Sequence, residues 1–128
     1  MSNILLVEPD SQLSKVYYQA LVDCGHQVVA SPTAQGALNV ADDLQPDLVI
    51  LEIQLVEHSG IEFLYEFRSY LDWQKIPVIL LTHVPQIEFI QSSDLLATDL
   101  GVVAYLYKPE TSLKKLLKEV ADQTKVLA

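Results

Sequence analysis

The chain is expected to fold as an α/β protein, a doubly wound parallel sheet with helices on both faces. Strand and helix signals alternate five times along its 128 residues. Several strand candidates are unbroken apolar runs, the pattern of strands buried on both faces of a parallel sheet. There is no linker, repeat or low-complexity stretch, so residues 1–128 are expected to form one domain.

Ile4-Leu5-Leu6-Val7 is the first apolar run. Asp10 or Ser11 can cap the helix that follows, in which Leu13, Val16, Tyr17, Ala20 and Leu21 recur at helical spacing until Gly25. Val28-Val29-Ala30 reads as a short second strand, and Thr33 to Leu44 as a second helix with Ala37, Leu38, Val40, Ala41 and Leu44 inward. Pro46 resets the chain into a third strand, Leu48 to Leu51, which ends at Glu52. A third helix carries Ile61, Phe63, Leu64 and Phe67, and Trp73 in the next connector reads as a packing plug. The fourth strand is Val78 to Thr82; Phe89, Ile90, Leu95 and Leu96 mark a fourth, less regular helical segment. Val102 to Leu106 is the fifth strand, and a fifth helix begins near Thr111 with Leu113, Leu116, Leu117, Val120 and Ala121 on one face. Five successive βα units with right-handed crossovers give the flavodoxin-like strand order 2-1-3-4-5.

Composition narrows the function. A net charge of −9 excludes nonspecific binding to nucleic acid or to anionic membranes, both of which need a basic surface. The single cysteine, Cys24, allows no internal disulfide, which fits a cytoplasmic location, and with no basic neighbour it reads as a packing residue. No apolar run reaches the roughly 20 residues of a membrane span, and no signal-peptide pattern opens the chain. His26, His58 and His83 lack metal-ligand spacing. Only four glycines occur and none forms a phosphate loop after the first strand, which disfavours a nucleotide or flavin site.

In this strand order the functional crevice lies at the carboxyl ends of strands 1, 3, 4 and 5. Those ends deliver Glu8 and Asp10, Glu52, Thr82 and Lys108 respectively, with Tyr105 three positions before the lysine and Pro109 after it. This constellation resembles the response-regulator receiver domains of two-component phosphorelay signalling, and the resemblance spans essentially the whole chain. It implies that Glu52 stands at the phosphoacceptor position and Glu8 and Asp10 in the acidic pocket. Thr82 and Lys108 stand where the family grips phosphoryl oxygens, and Tyr105 where it has a switching aromatic. It also implies a cis peptide between Lys108 and Pro109. By itself Tyr105 reads equally well as a rim aromatic.

Three positions depart from the family pattern. Pro9 replaces an acid that ligates Mg²⁺, and proline has no side-chain oxygen for a hard cation. Glu52 replaces aspartate, and the extra C–C bond moves its oxygens by about 1.5 Å, where a misplacement of about 1 Å can cost on the order of 10²-fold. His83 follows Thr82 where a small residue is usual. The expectation is therefore a pseudo-receiver: a signalling protein that acts through protein contacts, has no enzymatic activity and is not phosphorylated conventionally. It requires no cofactor, and Mg²⁺ on Glu8, Asp10 and Glu52 is expected to be weak. The implied partner surface, for another protein or a homodimer, is the fourth helix, fifth strand and fifth helix; the family also admits a histidine kinase. Two alternatives stand beside this reading: a genuine phosphoacceptor in a phosphorelay, and a flavodoxin-like small-molecule binder.

Overall fold

A computed structural model of the chain describes residues 2–55, 59–88 and 94–125. The strands are β1 (Asn3–Val7), β2 (Gln27–Ser31), β3 (Leu48–Leu51), β4 (Val78–Thr82) and β5 (Val102–Tyr107). They pair in parallel in the order β2-β1-β3-β4-β5, as the sequence predicts. The helices are α1 (Ser11–Asp23), α2 (Ala34–Leu44), α3 (Gly60–Arg68) and α4 (Leu113–Lys125).

β3 and β4 bury every residue, which is why their sequences are continuous apolar runs rather than alternating ones. Alternate residues still divide between two cores. Leu5, Val7, Val49, Leu51, Val78 and Leu80 face Ala37, Ala41, Phe63, Leu64 and Phe67 of α2 and α3. Ile4, Leu6, Leu48, Ile50, Ile79 and Leu81 face Leu21 of α1 and Leu116 and Val120 of α4. Trp73 fills the position foreseen for it, stacked on Phe67 at 4.8 Å between ring centroids.

Local signals set the helix ends. Asp10 Oδ1 accepts from the Gln12 and Leu13 N–H groups, Thr33 Oγ1 from Gly36 and Ser59 Oγ from Glu62. Gly25, at φ +93°, ends α1 in a conformation that side chains rarely adopt.

The structure corrects several expectations of detail. Val16 and Leu113, expected inward, are exposed: Val16 lies about 140° around α1 from the buried Leu21, and Leu113 is the first residue of α4. Cys24 is exposed at the end of α1 rather than packed. The expected fourth helix is described only from Asp94, where Leu95–Asp99 form a single π-type turn; Phe89 and Ile90 lie outside the described residues. β5 carries an extra residue opposite Val78 and Ile79, a bulge that leaves Val103 exposed. No described helix is long and apolar enough to cross a membrane.

Arg68 ties together the end of the sheet opposite the crevice. Its guanidinium donates to the carbonyls of Leu100, Trp73 and Ile76, so one side chain anchors the approaches to both β4 and β5. Burial lowers the Arg68 pKa, but a guanidinium remains protonated at any physiological pH.

Candidate functional site

Four of the five strands, β1, β3, β4 and β5, end at a residue that lies over the crevice. The Glu8 N–H donates to the Ser31 carbonyl and the Glu52 N–H to the Val7 carbonyl, so both carboxylates leave the sheet at the same level. Both are only 3 % exposed. Between them lies the Lys108 ammonium, 2.6 Å from Glu8 Oε1 and 2.8 Å from Glu52 Oε1, on a side chain 5 % exposed. Two buried anions thus share one buried cation. Separately each charge would bear a desolvation cost of several kcal/mol, and mutual pairing makes the arrangement tenable.

Glu52 collects donors at both oxygens. Oε1 accepts from Lys108 Nζ and, at 3.2 Å, from the His83 N–H. Oε2 accepts from the Thr82 hydroxyl and, at 3.0 Å, from the Gln54 N–H. Thr82 Oγ1 in turn accepts from the Val84 N–H. Burial alone would raise the Glu52 pKa. Hydrogen bonds from Lys108, Thr82 and Gln54, together with the lysine's charge, outweigh it and hold the carboxyl below its usual range. Lys108 is the mirror case: burial pulls its pKa down, and Glu52 and Glu8 push it above the usual lysine value.

The structure brings together Glu8, Glu52, Thr82 and Lys108 from four separate strand ends. Asp10 is not part of that cluster. Its side chain is exposed and caps α1, while its N–H donates to Glu8 Oε2 at 3.1 Å. Tyr105 is half-buried, its hydroxyl donating to the Val84 carbonyl at 2.6 Å, two residues after Thr82. The imidazole of His83 is 55 % exposed, with Nδ1 3.5 Å from Glu52 Oε1.

The cis peptide expected between Lys108 and Pro109 is absent: the described backbone contains no cis bond. Lys108–Glu110 instead form a 3-10 turn, closed by the Thr111 N–H on the Lys108 carbonyl at 3.1 Å. Proline near the start of such a turn matches its φ with a trans bond, and its missing N–H costs nothing there.

Sequence reasoning missed the shared pairing of Lys108 with Glu8 as well as Glu52. It also missed the backbone donors of Gln54 and His83. The cue for the pairing was available, since Glu8 and Lys108 end strands flanking the same crevice, but backbone donors leave no trace in residue identity.

Residues 4–121 match the family described as the response regulator receiver domain. The chain belongs to that family. It is 34 % identical over 109 residues to the KDP operon transcriptional regulatory protein KdpE of Escherichia coli K12, a match covering 85 % of this chain and 45 % of that protein. The chain thus spans about half the length of that relative. In fold it is similar to the chemotaxis response regulator CheY4 of Vibrio cholerae, with a TM-score of 0.83, 23 % identity and coverage of 96 % and 98 % of the two chains. It is also similar to the BeF3-activated N-terminal receiver domain of Klebsiella pneumoniae RstA, with a TM-score of 0.77, 27 % identity and coverage of 94 % and 96 %. The chain is therefore a receiver domain, a signalling module with the flavodoxin-like (βα)5 fold.

Proposed function

We propose that this receiver domain signals through protein contacts without conventional aspartyl phosphorylation. The observation that carries the reading is the occupation of the crevice by its own side chain. The Glu52 carboxylate takes the Thr82 hydroxyl, the His83 N–H and the Lys108 ammonium, three donors that an incoming phosphoryl group would need. It brings about one negative charge against roughly two for a phosphate, so it imitates the phosphorylated state only in part. The domain is then biased towards one arrangement of Thr82, Val84 and Tyr105 without a phosphodonor.

The donor set argues against Mg²⁺ as well. Pro9 has no side-chain oxygen, Asp10 caps α1, and Lys108 occupies one oxygen of each buried carboxylate. A small hard cation that requires near-octahedral oxygen ligation would have to displace the lysine. Phosphoryl transfer rests on positioning and on metal neutralisation of charge, and here both are compromised.

The test is intact-mass spectrometry after incubation with Mg²⁺ and acetyl phosphate. The parent chain is expected to remain unmodified, whereas Pro9→Asp combined with Glu52→Asp is expected to gain one phosphoryl group. A parent chain that labels as readily as the double variant overturns the proposal.

A further inference from the structure

Away from the crevice, α2 and α3 leave a cleft of about 500 Å³ between them on the face of the sheet opposite α1 and α4. Leu38 and Phe63 give it an apolar floor and Tyr65 a wall, and Glu62 and Glu66 line it as well. Phe63 is fixed in the core at 2 % exposure, while Tyr65 stands out at 52 %, the combination of rigid floor and open aromatic wall that an inserted side chain can use. Its volume lies in the range of ligand-binding clefts, and an apolar floor with a polar rim is the mark of an interaction site.

The charge of the surroundings selects the occupant. Beyond the cleft, one to two turns further along α2, stand the exposed Asp42 and Asp43, and the sole cation on either helix, Arg68, has its guanidinium committed to three backbone carbonyls. The whole chain carries −9, so a second copy is repelled and a cationic partner is attracted. We infer that the α2–α3 cleft docks a basic amphipathic helical segment of another protein. An apolar or aromatic side chain of that segment enters between Leu38 and Tyr65, and flanking Lys or Arg residues meet Glu66 and the acidic face of α2. Binding of this kind is the helix-in-groove mode, with anchors spaced three or four residues apart.

A fluorescein-labelled helical peptide of leucine and lysine with one central tryptophan, titrated into the full 128-residue chain, tests the inference by anisotropy and amide NMR. Saturable binding that weakens with salt is expected, with shifts centred on Leu38, Phe63 and Tyr65. Glu66→Lys should lower affinity about tenfold and Glu66→Gln by less, because reversal adds repulsion to the lost attraction. A peptide with every lysine replaced by glutamine should bind much more weakly. Equal affinity for the two peptides, shifts centred elsewhere or no loss in Glu66→Lys overturns the inference. So does self-association of the chain that Glu66→Lys abolishes, which would make a second copy the occupant.

Discussion

Replacing Glu52 with glutamine separates the charge of this side chain from its shape. Both carboxylate oxygens act only as acceptors, from Lys108 and the His83 N–H on Oε1 and from Thr82 and the Gln54 N–H on Oε2. An amide keeps one acceptor and turns the other oxygen into an NH₂ donor. At the Oε1 position that NH₂ would face an ammonium and an N–H. At Oε2 it faces the Gln54 N–H and the Thr82 hydroxyl, and a hydroxyl can rotate to accept. The second orientation costs less, yet it strands the Gln54 N–H. Losing that bond near the surface costs about 1 kcal/mol, and demoting the Lys108 contact from charged to neutral costs about 1 kcal/mol more. Relief of repulsion between Glu8 and Glu52 offsets part of the sum. The expected net loss is about 1–2 kcal/mol, or about 4–8 °C in Tm for a domain of this size. Circular-dichroism melts at pH 7 and in acid read it. The folded-state pKa of Glu52 lies below its ordinary value of 4.5, so its contribution is present above pH 4.5 and is lost as pH falls through the folded pKa. The gap between parent and variant must therefore narrow in acid. Equal Tm values at pH 7, or a gap unchanged at low pH, refute the reasoning.

Two further outcomes are expected. Burial, with Glu52 and Glu88 nearby, pushes the Tyr105 phenol up to about 12 from 10.0, and Lys108 is also raised above its usual 10.5. Both groups stabilise the fold in their protonated forms, fully below about pH 10, and this stability is lost as pH rises through their folded pKa values. The parent-minus-Tyr105→Phe phenolate difference spectrum measures the tyrosine directly, and a phenol titrating near pH 10 contradicts the expectation. Gly101 sits at φ +67° with its missing Cβ aimed at Arg68 Nη2. Gly101→Ala should cost about 2–3 kcal/mol in urea unfolding, of which about 1 kcal/mol is backbone strain that persists when Arg68 is already Met; a cost independent of Arg68 removes the steric part of the argument.

The sheet was legible in the sequence because Ile4 to Val7, Leu48 to Leu51 and Val78 to Leu81 are runs that only a doubly covered strand requires. Four members of the crevice were legible for a related reason, since parallel strands must release their next residues at one edge. What stayed hidden depends on geometry rather than on residue type. Exposure of Val16 and Leu113 is set by which way each helix is turned and where it begins, Leu21 rather than Val16 marking the buried face of α1. The three carbonyls held by Arg68 belong to Leu100, Trp73 and Ile76, residues whose side chains give no hint of it. The trans Lys108–Pro109 bond follows from the 3-10 turn that starts there, which a family pattern does not specify for this chain.

The ion cluster joins residues from near the two ends of the chain, Glu8 and Lys108, with Glu52 about midway between them. During synthesis the first two-thirds of the protein can assemble β1 to β4, but closing the crevice would then bury two carboxylates with no counter-charge. Contacts of such long sequence separation form late because loop closure must come first. The lysine that makes the crevice tenable thus arrives only with the last strand, and a nascent or truncated chain is penalised for closing early. The same charges that occupy the site in the finished domain keep its incomplete precursors open.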